Sequence, residues 1–279
     1  MNIIPGTNGE LALKISRFFG VSPSYIQVEK LPYGEKYVRI PFEPEGKVYV
    51  VNTFFPYPDE ILFESRLIGD ILRERGAEEL VLIAPYLSYS RGIASIFGEA
   101  RTFETLMNIL DVYDRIIAVD FYGNTEKVES VSAMPLLAEY ISEECDLVDP
   151  VVLGPDEISK EWIRYFANII ESDYGFISKI RVDAQNVVVS RVNADVNGRD
   201  VIIADDIVAT GSTVVQSAKK LKSLGARKIY VAATHALFSR QVYADILKAG
   251  VEDVISTDTV LNFTSRVSVS EIIADRVNF

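Results

Sequence analysis

The chain reads as an α/β protein of two tandem domains with mostly parallel sheets, and three features of the sequence carry that reading. Short apolar, often β-branched runs at 48–51, 81–84, 116–119, 151–153 and 201–204 alternate with longer stretches of helical period. Near-continuous apolar runs suit strands covered on both faces by helices. The length, 279 residues, is that of two domains of ordinary size. The chain also repeats itself. Residues 72–84 align with 221–233, each a helix end, a glycine (Gly76, Gly225) and a strand, and 111–120 align in the same order with 249–258. Two matches in order describe two diverged copies of one β/α unit.

In the first copy, helices are expected at 11–19, 60–75, 102–110 and 133–145, and strands at 37–40, 48–51, 81–84 and 116–119. The segment 85–101, rich in polar and aromatic residues, is too long for a mere connection and is a candidate functional loop. In the second copy, strands are expected at 151–153, 174–181, 187–191, 201–204 and 229–232, with helices at 160–170 and 214–224; residues 267–279 read as a strand then a helix. The expected division is 1–146 and 147–260, with 261–279 as a tail packing back on the first domain.

Composition narrows the function. Hydrophobic residues make up 48% and charged residues 24%, enough apolar material for substantial cores. The net charge of −12 argues against nucleic acid or an anionic membrane as partner, and requires any phosphate ligand to be held by a local site. Cys145 is the only cysteine, so no internal disulfide forms and a reducing, cytoplasmic setting is expected. Its acidic neighbours, Glu143, Glu144 and Asp146, argue against a nucleophilic role. No basic, apolar leader starts the sequence, and no apolar run approaches the ~20 residues of a membrane span.

The chemistry concentrates between 201 and 213. A short apolar strand is followed by Asp205 and Asp206, then by the small-residue turn Ala209, Thr210, Gly211, Ser212 and Thr213, then by a helix. Ligands of open α/β sheets bind at the C-terminal ends of strands. Small residues let backbone N–H groups and hydroxyls close around a phosphate, and a helix start favours negative charge. Ionised carboxylates only accept hydrogen bonds, so the acid pair suits sugar hydroxyls or a cation beside them. A phosphorylated ribose satisfies both halves. A capped helix after an acidic pair also occurs without any ligand; the coincidence of acid pair, turn and strand–loop–helix context favours the phosphate loop. His235, the only histidine, follows the strand at 229–232 and reads as structural.

With 205–213, the segment 234–239 and the duplicated layout assembled, the chain resembles the ribose-phosphate pyrophosphokinases, most strongly across 201–239. The resemblance implies two phosphoribosyltransferase-like (Rossmann-like) domains and the transfer of pyrophosphate from ATP, with Mg²⁺ as cofactor, to the 1-hydroxyl of ribose 5-phosphate. It further implies a homo-oligomer, dimer or hexamer. Asp205 and Asp206 match the family's ribose-binding acids and 210–213 its 5-phosphate loop, with Ala209 where a third aspartate is usual. Asp156, in Gly154-Pro-Asp156, matches a magnesium-holding aspartate, and Lys179 and Arg181 match the Lys-x-Arg of the catalytic loop. On the nucleotide side Glu35 and Arg91 persist, with Asp120 beginning the third motif. Tyr33, Gly92, Ile93 and Tyr122 stand where polar groups of three family motifs are expected, and a tyrosine binds metal only after losing its proton. Two alternatives follow: a catalytically weak regulatory homologue that associates with an active synthetase, or a phosphoribosyltransferase, suggested by Ala209.

Overall fold

The computed structural model describes residues 1–92, 97–123, 125–156, 159–181 and 187–277, and for 179–181 and 187–190 the backbone alone. In chain order the elements are β1 (Asn2–Pro5), α1 (Gly9–Phe18), β2 (Gln27–Lys30), β3 (Lys36–Arg39), β4 (Lys47–Val51), α2 (Pro58–Glu74) and β5 (Glu79–Ala84). Then come α3 (Thr102–Ile109), β6 (Arg115–Val119), β7 (Val128–Val131), α4 (Met134–Glu144), β8 (Val151–Gly154), α5 (Lys160–Ile170), β9 (Asp173–Arg181) and β10 (Val187–Val192). β11 (Val201–Val208), α6 (Ser212–Ser223), β12 (Ile229–Ala236), α7 (Arg240–Lys248), β13 (Asp253–Thr257), β14 (Ser265–Val267) and α8 (Ser270–Val277) complete it. Among the described residues no helix is long and apolar enough to cross a membrane.

By its contacts the chain forms two compact units, Met1–Ser132 with Ser268–Phe279, and Ala133–Val267. The first holds a five-stranded sheet in the order β1-β4-β5-β6-β7, every neighbour pair parallel. Its central strands are buried along their length because helices cover both faces. Helix α2 opens with Pro58, Asp59 and Glu60 and closes with Arg73, so its ends suit the helix dipole. A hairpin of β2 and β3 stands as its own two-stranded sheet. Lys30–Glu60 (2.7 Å) and Lys36–Glu64 (2.8 Å) tie that hairpin to α2.

The second unit holds a seven-stranded sheet in the order β10-β9-β8-β11-β12-β13-β14, in which only β9 and β10 pair antiparallel. β8-β11-β12-β13-β14 repeats the order β1-β4-β5-β6-β7, and each copy inserts a hairpin after its first helix. The aligned segments 72–84 and 221–233 both end a helix and run into the third strand of the order, β5 and β12. In the first unit α8 packs on α1; in the second α4 packs on α5. The cores form accordingly, one around Val48, Val50, Leu80 and Leu82, and two on the faces of the larger sheet.

Candidate functional site: the ligand edge of the second unit

The sequence reading ended the key strand at Ala204, but its ladder runs on to Val208. The neighbour explains this. β12 keeps pairing, Asp205 with Ala233, Ile207 with His235 and Val208 with Ala236, so polar residues stay extended where the backbone finds partners. On the other side, β8 stops pairing at Leu153 with Ile203. The acid pair therefore lies on a stretch of β11 flanked by a strand on one side. Both carboxylates are half-buried, and Asp205 Oδ1 accepts the Asp206 N–H at 3.0 Å.

The turn that follows is fixed by Gly211, at φ 70° and ψ −8°. A Cβ there would meet Val242 Cγ1 at 2.6 Å and Ile246 at 3.2 Å, so glycine lets α6 start against α7. No side chain caps α6, and its first turn holds no acid, while Lys220 and Lys222 occupy its last turn. Thr210 Oγ1 and Ser212 Oγ are hydrogen-bonded at 3.1 Å on the exposed side of the turn. An uncapped helix start beside three hydroxyls (Thr210, Ser212, Thr213) has the character of an anion site.

Asp156 follows the end of β8, next to β11 in the sheet. Its Oδ1 accepts the Ser159 N–H at 3.2 Å and its carbonyl accepts the Ser159 hydroxyl at 2.6 Å, which shapes the start of α5. Among the described residues no group of three His, Cys, Asp or Glu could hold a metal ion. Magnesium commonly takes only one or two carboxylates and completes its shell with water and substrate phosphates. The hard oxygens of Asp156 and the acid pair suit that use. The backbone of Lys179 and Arg181 lies in the β9–β10 ladder, opposite Val189 and Val187, and their side chains lie outside the described residues. His235 is 2% exposed, with Nδ1 2.9 Å from Thr259 Oγ1, whose hydroxyl reaches the Thr234 carbonyl at 2.9 Å. It belongs to a buried threonine network joining β12 to the segment after β13.

In the first unit, Glu35 is exposed at the turn of the β2–β3 hairpin, where Gly34 takes φ 97°. It lines a groove of about 510 Å³ with Lys36, Asp59 and Phe63. Arg91 stands elsewhere in the unit, in the loop after β5, its guanidinium carbon 5.2 Å from the ring centroid of Tyr122. A guanidinium over that ring opposes a second cation beside Tyr122. Gly92 has its own reason. A Cβ would fall 1.7 Å from Thr102 Oγ1, so a larger residue requires at least the Thr102 side chain to move. Ile93 lies outside the described residues.

Sequence reading missed two features. Asp200, 0% exposed at the base of β11, accepts from Arg227 Nε (2.8 Å) and from the N–H groups of Val148 (2.8 Å) and Lys228 (3.1 Å). Its partners are 27 to 52 positions away, so no local pattern marks it. Tyr89, at φ 62°, donates its hydroxyl to Asp59. For Cys145, burial is the first cause pushing the thiol pKa up, followed by the charges of Asp253 and Glu144; the sequence supplied only the last kind of cause.

Two mostly parallel sheets, with an acid pair and an uncapped, hydroxyl-lined helix start at the edge of one, define a phosphoribosyltransferase-like α/β architecture. Residues 1–100 match the N-terminal domain of ribose phosphate pyrophosphokinase, and 178–276 match the phosphoribosyl synthetase-associated domain. The chain is 40% identical over 283 residues to ribose-phosphate pyrophosphokinase 1 of Archaeoglobus fulgidus, covering 99% of each. It is 37% identical to the ribose-phosphate pyrophosphokinase of Methanopyrus kandleri, covering 90% of this chain and 89% of the relative. The crystal structure of phosphoribosylpyrophosphate synthetase from Mycobacterium smegmatis superposes with a TM-score of 0.85 at 25% identity, covering 99% of this chain and 97% of that one. The chain belongs to the ribose-phosphate pyrophosphokinase family, whose members are transferases.

Proposed function

We propose that the chain makes phosphoribosyl pyrophosphate from ribose 5-phosphate and ATP. The O1 hydroxyl oxygen of the sugar attacks the β-phosphorus of ATP. The bond from that phosphorus to the oxygen bridging the α-phosphate breaks, AMP leaves with that oxygen, and the hydroxyl proton passes to solvent. The second unit holds the sugar. Asp205 and Asp206 accept hydrogen bonds from its ring hydroxyls, and the turn from Ala209 to Thr213 with the start of α6 takes its 5-phosphate. One observation carries the reading: the acid pair and uncapped, hydroxyl-lined helix start in a chain that matches named pyrophosphokinases nearly end to end.

Lys179 and Arg181 are assigned to neutralising charge on the transferring phosphates, and Glu35 and Arg91 to the nucleotide. Asp156 would hold Mg²⁺ together with nucleotide phosphates, and the ion would offset their charge. The family resemblance also carries the expectation of a homo-oligomer and of a cytoplasmic setting. The loss of the expected polar groups at Tyr33, Gly92, Ile93 and Tyr122 favours a second reading, a catalytically weak regulatory homologue with weakened use of ATP. Titration calorimetry in Mg²⁺ with ribose 5-phosphate and ATP separately tests both. Binding of each is expected; sugar binding without ATP binding supports the second reading, and absence of sugar binding overturns the assignment of the second unit.

A further inference from the structure

Arg91 is carried by a tight turn. The Gly92 N–H donates to the Tyr89 carbonyl at 3.1 Å, which places Arg91 at the third position of a four-residue turn starting at Tyr89. The far end of that turn is fixed to α3, where the Phe103 N–H and the Thr102 hydroxyl both reach the Gly92 carbonyl at 3.4 Å. Its near end is fixed by a side chain. Tyr89 takes φ 62°, a left-handed conformation that a bulky residue adopts only when its surroundings demand it, and its hydroxyl donates to Asp59 in the first turn of α2. The ring of Tyr89 packs against the core, so the phenol is held from both ends. Beyond the turn, the Arg91 guanidinium lies over Tyr122, whose neighbour Asp120 is also left-handed at φ 42°. Two non-glycine residues in the same sparse region, one in the loop after β5 and one directly after its neighbour β6, mark a backbone held in place near the exposed Arg91.

We propose that Tyr89 is a positioning residue for the nucleotide. Through its bond to Asp59 it holds the Arg91 turn, and with it the Arg91–Tyr122 stack, in the arrangement that receives ATP. This rests on the assignment of Arg91 to the nucleotide. An arginine side chain has many rotamers, and a stack that fixes it beforehand lowers the ordering cost of binding. Removing the phenol oxygen loosens the turn while leaving the ring in the core.

The test is calorimetric titration of Mg-ATP, without ribose 5-phosphate, into the full chain and into Tyr89→Phe, Asp59→Ala, Asp59→Asn and the double variant Tyr89→Phe/Asp59→Ala. Tyr89→Phe and Asp59→Ala are each expected to weaken ATP about tenfold. The double variant should be no weaker than either, because both remove one bond. Asp59→Asn keeps an acceptor oxygen and should stay near wild type. Ribose 5-phosphate affinity and Tm should hold in all of them. Unchanged ATP affinity in Tyr89→Phe overturns the proposal, as does parallel weakening of both ligands with a lowered Tm, which describes a structural role only. A wild-type chain that binds no ATP overturns the nucleotide assignment of Arg91 and this proposal together; a loss confined to the variants' behaviour leaves that assignment standing.

Discussion

At the C-terminal end of β4, Asn52 and Thr53 are 0% and 5% exposed, and at the corresponding end of β11 Asp205 and Asp206 stand half-exposed beside an uncapped helix. The correspondence follows from register. Val51 pairs with Ile83 as Ala204 pairs with Ala232, and the repeat aligns Ile83 with Ala232. In the first copy every polar group at this end turns inward. Asn52 accepts the Thr7 N–H at 2.8 Å and donates to Ser65 Oγ at 2.8 Å. Thr7 Oγ1 accepts the Thr53 N–H at 2.8 Å, and Asn8 Nδ2 donates to Thr53 Oγ1 at 3.2 Å. Phe54, 1% exposed, then seals the loop, where the second copy has its hydroxyl turn. The first copy closes the end of this strand with internal hydrogen bonds, and the second leaves it half-open, which is where the proposed function puts the sugar.

The largest expected effect separates the two edges. Asp206→Asn should lower kcat/KM for ribose 5-phosphate by about 100-fold, since the charge and one of the two acceptor oxygens are lost, while Tm moves by no more than about 2 °C. A variant that melts much earlier yet binds sugar normally makes the pair structural. The mirror experiment is Asn52→Ala, which strands Ser65 and opens a cavity. It should cost about 2 kcal/mol of stability, read by denaturant unfolding, and leave sugar affinity untouched. Loss of sugar binding there contradicts the division of labour.

Much of this contrast was legible in the sequence, for physical reasons. Helix α5 was expected at 160–170, and its residues are those, because an apolar stripe ends there at Glu171. The acid pair, glycine turn and helix of 205–224 are local in sequence, so their pattern survives inspection. What escaped is long-range or short. β1 and β7 have four residues each, and β7, Val-Glu-Ser-Val, offers little apolar signal. β11 outran its apolar run because pairing with β12 is a backbone matter, indifferent to the charges of Asp205 and Asp206. The Asn52 network joins residues 45 positions apart, and the Tyr89–Asp59 bond spans 30. Neither leaves a periodicity to read.

The same strand sharpens the comparison along its length. Asp200 at the base of β11 is bonded on all sides, whereas Asp205 and Asp206 near its tip stand in a half-open setting. Asp200→Ala should cost about 3 kcal/mol by leaving the Val148 and Lys228 N–H groups without their acceptor, with KM for ribose 5-phosphate unchanged. A neutral Tm would show the clamp to be dispensable.

The smallest effect concerns Cys145. Its thiol pKa is raised, so the reactive thiolate appears only at higher pH than for an ordinary thiol. Maleimide labelling near pH 7.5 should run slower than for a free thiol and accelerate as pH rises. Labelling at the free-thiol rate would show that neither burial nor acidic neighbours govern it.

The central claim, that the edge left open in the second copy serves pyrophosphate transfer, is tested most directly by AMP release. Wild-type protein, ATP and Mg²⁺ should produce AMP only when ribose 5-phosphate is added, one AMP for each phosphoribosyl pyrophosphate. Asn52→Ala should retain this turnover at temperatures where it is folded, and Asp206→Asn should lose nearly all of it. AMP released without the sugar, or equal turnover in wild type and Asp206→Asn, would contradict the account.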